Sequence, residues 1–295
     1  MAQTKILVII GPTASGKSSL AVRLAKKFKG EIISADSRQV YKGLDIGTGK
    51  ITPKEMAGIP HYLLDVADSK KQFSVSDFLI LTNQAIAKIV KSDKLPIVVG
   101  GTGFYIDALA GQASWPEVPP NKALRKKLGK KSANALYKML EKKDPRRAST
   151  IDPHNKVRIV RALEIIEKLG KVPTLKTGYA DEFIFIGLLP NDLEGRIHKR
   201  LEKRFNGIIR ETKGLYKKGL SYKRMHELGL EYRYAALHLQ NKISRAEMLE
   251  KLHTAIRQYA KRQMTWFKRN KKIKWFKPDE YKAIERYVRI ALKGD

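Results

Sequence analysis

Lys5-Ile6-Leu7-Val8-Ile9-Ile10 runs directly into Gly11-Pro12-Thr13-Ala14-Ser15-Gly16-Lys17-Ser18. Ile6 to Ile10 is an apolar, largely β-branched run, which is strand composition. The next eight residues fit G-x-x-x-x-G-K-[ST], a loop whose backbone N–H groups turn toward a phosphate chain. Leu20, Leu24 and Phe28 then recur every four residues, one face of a helix that stops at Gly30. The helix N-terminus adds positive potential, Lys17 a full charge, and Ser18 a hydroxyl suited to a phosphate-bound Mg²⁺. A glycine turn that binds nothing is the bland alternative. The order strand, loop, helix speaks against it. The motif specifies a di- or triphosphate ligand, not hydrolysis of one.

Working outward, Glu31–Ala35 and His61–Val66 read as a second and third strand, and Pro96–Gly101 as a fourth. Ser74 with Asp77 forms a capping-box pattern opening a helix to about Lys91, with Phe78, Leu81, Ala85 and Ile89 inward. Strands alternating with helices predict an α/β fold with a parallel sheet and crossover helices. Three prolines within residues 113–120 mark a boundary. Residues 121–143 carry a lysine-rich helical pattern, and Val157–Leu169 another. Phe183–Leu189 is an isolated apolar run before Pro190, so the chain returns to the sheet there. The expected organisation is a core of residues 1–112 and 181–295 with a helical insertion domain at 113–180. From 192 onward the chain reads as helix throughout. Ser244 with Glu247 opens a long helix to about Lys268, and a last one runs from about Asp279 to Leu292.

The 295 residues contain 60 Lys+Arg against 29 Asp+Glu, a net charge of +31, and no cysteine. The missing cysteines exclude a disulfide framework, a Cys-ligated zinc site and a thiol nucleophile. No apolar run reaches the roughly 18 residues of a membrane span. The Ile6–Ile10 run is too short for a signal-peptide core. A cytoplasmic monomer is expected. The charge points to a polyanionic partner. Residues 1–110 hold 15 basic and 9 acidic residues, while 111–295 hold 45 and 20. The excess therefore lies outside the phosphate-loop region.

A phosphate-loop hydrolase usually needs an acid at the end of a second apolar strand. The run from Pro96 instead ends Gly100-Gly101-Thr102-Gly103. The acid sits elsewhere, in Ile32-Ile33-Ser34-Ala35-Asp36-Ser37. Ligands of parallel sheets bind at the carboxyl ends of strands, so Asp36 should face the loop. It reads as a magnesium-shell carboxylate, a general base, or a plain turn residue.

Several blocks in order now resemble one family, the tRNA dimethylallyltransferases (tRNA isopentenyltransferases). They are Gly11–Ser18, Asp36-Ser37-Arg38-Gln39-Val40-Tyr41 with Ile46-Gly47-Thr48, and Gly100–Gly103. They continue with Asp152-Pro153-His154-Asn155, Arg158 and Arg161–Glu164, and end with Arg257-Gln258-Tyr259-Ala260-Lys261-Arg262-Gln263-Met264-Thr265-Trp266-Phe267. Together they span about residues 6–267. The resemblance implies a P-loop NTPase/kinase-like core with a helical insertion domain, and Mg²⁺ as cofactor. It implies transfer of a dimethylallyl group from dimethylallyl diphosphate to N6 of the adenosine 3′ of the tRNA anticodon. Carried onto this chain, Asp36 is the general base, with Lys17 and Thr102 also catalytic. Gly11, Pro12, Thr13, Ala14, Ser15, Gly16, Lys17 and Ser18 cradle the diphosphate, Ser18 beside the metal. Asp36, Ser37, Arg38, Gln39 and Thr102 contact tRNA, as do Val157, Arg158, Ile159, Val160 and Arg161. Arg257, Lys261 and Arg262 join them. One departure stands out. The family pattern places an Asp-Arg pair after the strand at 183–189, where this chain has Asn191-Asp192-Leu193-Glu194-Gly195-Arg196. Arg196, Arg200 and Arg204 follow at helical spacing, either a diphosphate-side cation or a solvated stripe.

Lys122, Arg125, Lys126, Lys127, Lys130 and Lys131 form a basic run in the insertion. Arg257, Lys261, Arg262, Lys268 and Arg269 form a second, interleaved with Tyr259, Trp266 and Trp275 as stacking surfaces. Any single lysine reads equally as a solubilising one. Trp266 and Phe267 read as core packing, and His61 and His154 as loop or packing residues. Two other functions compete: a small-molecule phosphate-loop kinase, and an RNA-binding protein regulated by nucleotide. The acid-free Gly100–Gly103 end and the basic outer zone disfavour the first. Asp36 beside the loop disfavours the second.

Overall fold

The computed structural model describes residues 4–111, 118–173 and 182–293. It divides into two compact units, Met1–Ala110 with Tyr179–Asp295, and Gly111–Gly178.

The first unit is built on six parallel strands. They are β1 (Lys5–Ile10), β2 (Gly30–Ser34), β3 (His61–Tyr62), β4 (Leu95–Gly100), β5 (Glu182–Leu188) and β6 (Lys274–Phe276), in the order β3-β2-β4-β1-β5-β6. Its early helices are α1 (Lys17–Lys27), α2 (Pro53–Met56), α3 (Val75–Lys91) and α4 (Gly103–Leu109). Ile6 to Ile10 are fully buried because β1 is central and covered on both faces. Ile6, Val8 and Ile10 pack with Phe78 and Ile89 of α3 and Tyr105 of α4. Leu7 and Ile9 pack on the other face with Leu20 and Leu24 of α1.

The insertion holds α5 (Lys122–Gly129), α6 (Ala133–Lys143), α7 (Pro145–Ala148) and α8 (Lys156–Leu169). Its core is Leu136, Leu140, Ile159, Leu163 and neighbours. Glu164 lies buried beside that core. It accepts from Arg125, Arg161 and the Asn121 N–H, which together hold its carboxyl down at about 2 against the opposing effect of burial.

Back in the first unit come α9 (Leu193–Lys217), α10 (Tyr222–Leu228), α11 (Leu230–Leu239), α12 (Arg245–Phe267) and α13 (Tyr281–Lys293). Ile197, Leu201 and Phe205 of α9, Ala235 of α11, and Met248, Leu252 and Ile256 of α12 share one core. Ala14 of the phosphate loop packs against it.

Four expectations need correction. The region after 192 is not all helix, because β6 adds a strand beside β5, with Trp275 lying over Gly187. Trp275 is therefore sheet packing rather than a stacking platform. The pattern over 121–143 is two helices, broken where Ser132 caps α6. The third strand ends at Tyr62, since Leu63 and Asp65 take left-handed backbone (φ 63° and 55°). On α3, Phe78, Ala85 and Ile89 are buried as expected and Leu81 packs half-buried on the same core, with Thr82 and Ile86 buried beside them. The capping boxes at Ser74 and Ser244 both form. Most of the proline-marked boundary falls outside the described residues.

Candidate active site

Three loops meet at the carboxyl ends of adjacent strands. β4 lies between β1 and β2, so the phosphate loop after β1, Gly101–Thr102 after β4 and Asp36 after β2 stand side by side. The phosphate loop turns into α1 at Gly16, whose φ of 96° a side chain would strain. The first-turn N–H groups of α1 have no intrahelical acceptor.

Lys17 reaches back to the Pro12 carbonyl at 2.7 Å. Burial pushes its ammonium down to about 7, the neighbouring Arg200 pushes the same way, and Asp36 opposes both. α9 lays its arginine stripe along this loop. Arg196 Nε donates to the Ala14 carbonyl at 2.9 Å. Arg200 Nη1 lies 3.4 Å from Thr13 Oγ1, and its Nη2 donates to the Gly49 carbonyl at 3.0 Å. Arg204 turns to the Ile46 and Gly47 carbonyls and lies 3.8 Å from Glu231. The stripe is therefore only partly solvated: Arg196 is exposed, while Arg200 and Arg204 are half-buried. Arg196 and Arg200 serve the phosphate loop, and Arg204 serves the neighbouring segment.

Asp36 Oδ1 accepts the Arg38 N–H at 2.8 Å and the Gln39 N–H at 3.4 Å. This shapes the turn after β2. The Ser37 N–H donates to Thr102 Oγ1 at 3.0 Å, which ties that turn to the end of β4. The Thr102 hydroxyl hydrogen remains available to donate.

Gln263 of α12 joins two of the loops. Its Oε1 accepts the Thr13 N–H at 2.9 Å and its Nε2 donates to the Gly101 carbonyl at 2.8 Å. The side chain is buried, and both ends of its amide have a partner. Replacing it with leucine strands a buried N–H and a buried C=O, so Gln263→Leu destabilises the protein by about 1–3 kcal/mol and slows turnover. Urea unfolding measures the first. An unchanged midpoint would remove the bridge from the account.

These groups surround a cavity of about 460 Å³. Thr13, Lys17, Ser18 and Arg200 line it with Asp36, Gln39 and Thr102. Phe104, Tyr259 and Trp266 add aromatic wall, and Glu231 a carboxyl that burial holds above the usual range. Trp266 lies flat against Gly103 and donates its indole N–H to Asp107, with Arg269 stacked over its ring. It is both wall and packing. Among the described residues no group of three or more His, Cys, Asp or Glu could hold a metal. Ser18, exposed at the cavity wall, and Asp36 offer one hydroxyl and one carboxylate. That sparse oxygen set fits Mg²⁺ arriving with phosphate oxygens rather than a protein-only cage.

A family model for IPP transferase matches residues 39–270. The chain belongs to the IPP transferase family. A relative from Thermoanaerobacter sp. (strain X514), a tRNA dimethylallyltransferase, is 41% identical over 98% of this chain and 96% of its own. The solved tRNA isopentenylpyrophosphate transferase of Bacillus halodurans is 36% identical, covers 99% of this chain and 97% of its own, and superposes with a TM-score of 0.73. A eukaryotic dimethylallyltransferase solved acting on tRNA is 29% identical over 93% of this chain and 74% of its own, with a TM-score of 0.81.

Within this IPP transferase not every expected residue faces the cavity. Of the phosphate loop, Thr13, Lys17 and Ser18 line it. Gly11, Pro12 and Ser15 are buried and none of them lines it. Ser37, Arg38 and Arg262 line the cavity with Asp36, Gln39 and Thr102. Lys261 is exposed, and Arg257 is exposed with Glu194 at 3.2 Å. On the insertion, Val157 and Arg158 are exposed. Ile159 is corrected: it is fully buried in the insertion core and presents no side chain to RNA. Val160 packs on that core, and Arg161 is committed to Glu164 and the Val118 carbonyl. Arg200, one of the three arginines open as the diphosphate-side cation, and Tyr259, expected as a stacking surface, both line the cavity. Gln263 and Glu231 are cavity residues to which no role was assigned, and the RQYAKRQ block was the available signal for the first.

Proposed function

We propose that this chain transfers a dimethylallyl group from dimethylallyl diphosphate to N6 of the adenosine 3′ of a tRNA anticodon. A cytoplasmic, monomeric enzyme belongs to the same proposal. The allylic C–O bond breaks, a C–N bond forms, the N6 proton leaves, and diphosphate is released. The observation that carries this reading is one cavity holding a carboxylate, Asp36, together with two anion-binding cations, Lys17 and Arg200. Allylic cleavage develops negative charge on the diphosphate. Lys17, Arg200 and the N–H groups opening α1 are aimed at that charge. Mg²⁺, when bound at Ser18, neutralises diphosphate charge in the same sense. N6 becomes acidic as it attacks, and a carboxylate then suffices as its base. Asp36 holds that role, with Thr102 as hydrogen-bond donor beside it. The names of the relatives support tRNA as acceptor.

The adenosine must leave the anticodon-loop stack to reach N6. Tyr259, Phe104 and Trp266 offer stacking surface in the cavity, and Gln39 an amide for the adenine edge. Ser37, Arg38, Arg257, Lys261 and Arg262 on the first unit, and Val157 and Arg158 on the second, carry the RNA contacts. The test incubates the protein with unmodified tRNA, dimethylallyl diphosphate and Mg²⁺, then digests the RNA for mass spectrometry. Prenylated adenosine is expected. Its absence, with ATP-dependent phosphorylation of a small molecule, overturns the reading in favour of a kinase.

A further inference from the structure

Residues 45–49 form a loop that the reaction scheme does not use, yet six of its ten backbone N–H and C=O groups are answered from α9. Glu211 Oε1 accepts the N–H groups of Asp45 and Ile46, both at 2.8 Å. Glu211 Oε2 accepts the Gly47 N–H and the Tyr232 hydroxyl, again both at 2.8 Å. The carbonyls of the same loop go to arginines about two and three turns earlier on the helix: Ile46 and Gly47 to Arg204, Gly49 to Arg200. Tyr232 is buried and its ring presses on Gly47, where a Cβ would lie 2.5 Å from Cζ. One carboxylate with four donors, plus two guanidiniums, fixes five residues of irregular chain.

The arrangement has a charge logic. Arg200 has no carboxylate within ion-pair distance among the described residues; its recorded partners are the Gly49 carbonyl and, weakly, Thr13 Oγ1. A carboxylate placed directly on Arg200 would orient it and cancel its charge. A neutral carbonyl orients it and leaves the charge for an anion. That carbonyl needs a rigid loop behind it, and the carboxylate that makes the loop rigid is Glu211, which does not line the cavity. Thr48, in the same loop, does line it.

We propose that Glu211 is a positioning residue for the donor side of the site. Acting through the 45–49 backbone, it holds Arg200 in place for the diphosphate without neutralising it, and Tyr232 holds Glu211. The inference rests on reading the cavity as a diphosphate site.

The test is calorimetric binding of dimethylallyl diphosphate with Mg²⁺, alongside tRNA binding, on the full chain. Glu211→Gln keeps the shape but turns an NH₂ toward the Gly47 N–H. It should weaken donor binding about tenfold and leave tRNA affinity within about twofold, as for one lost charge-assisted hydrogen bond. In an Arg200→Ala background the same change should add nothing, because the residue acts through Arg200. Tyr232→Phe removes a single hydrogen bond and should weaken donor binding about threefold, which keeps the idea testable if the first variant folds poorly. Lys17→Met separates the two levels. If it binds donor as well as wild type, the diphosphate reading falls. If it loses donor while Glu211→Gln retains it, or if the Glu211 and Arg200 effects simply add, the positioning role falls.

Discussion

Replacing Asp36 by asparagine lowers kcat for adenosine prenylation by about 10²–10⁴-fold, the usual contribution of a positioned base. Donor affinity changes by about twofold or less, because an amide in place of the carboxylate leaves the phosphate loop, Lys17 and Arg200 in place. Asparagine is the informative choice. Its Oδ1 can still accept from the Arg38 and Gln39 N–H groups, so the turn after β2 survives. Only the basic lone pair is lost. Alanine would remove the turn and the base together. Single-turnover rates with preformed ternary complex are the measurement. An asparagine variant with near wild-type turnover would reduce Asp36 to the turn residue that its hydrogen bonds alone describe.

Replacing Lys17 by methionine weakens donor binding and slows transfer, together by about 10²–10³-fold, as when one preorganised charge-stabilising donor is removed. It also removes a proton linkage. In the unliganded protein the Lys17 ammonium is lowered from 10.5 to about 7 by burial and by Arg200. Between those values the folded chain holds Lys17 neutral while the unfolded chain holds it protonated. The unfolded state then binds more protons, so this group's contribution to stability rises with pH across that window and is least below pH 7. An arriving diphosphate reverses the preference, because the anion favours the ammonium. Binding near pH 8 should therefore take up a proton. Calorimetry in buffers of different ionisation heat reads that uptake, and Lys17→Met should lose it. A buffer-independent heat in the wild type would show Lys17 already charged.

The core of the fold was legible because its signals are local. The apolar Ile6–Ile10, the glycine loop and the four-residue spacing of Leu20 and Leu24 each declare one element. The place of Asp36 at the cavity was legible for the same reason, two residues past a buried strand. What escaped needed tertiary knowledge. β6 is three residues, Lys274–Phe276, with no apolar periodicity of its own, and exists because β5 offers an edge. The insertion helix α8 looked like an RNA face over 157–161. A helix turns about 100° per residue, so Val157 and Arg158 point out while Ile159 points into the core. Gln263 stood in a recognisable block, but nothing near it in sequence says that its partner is Thr13.

That pairing links residue 13 to residue 263, a separation of 250. During synthesis the phosphate loop emerges 250 residues ahead of the glutamine that completes its wall. Until α12 docks, the Thr13 N–H and the Gly101 carbonyl lack their partner, and Tyr259 and Trp266 are missing from the cavity wall. A growing chain therefore carries a recognisable nucleotide-type motif long before it has a competent site. The closing contact is among the most distant in the molecule, so assembly of the site is a late event in folding and pays its loop-closure entropy at the end. Chains released early, short of residue 263, should fold much of the sheet and remain inert toward the donor.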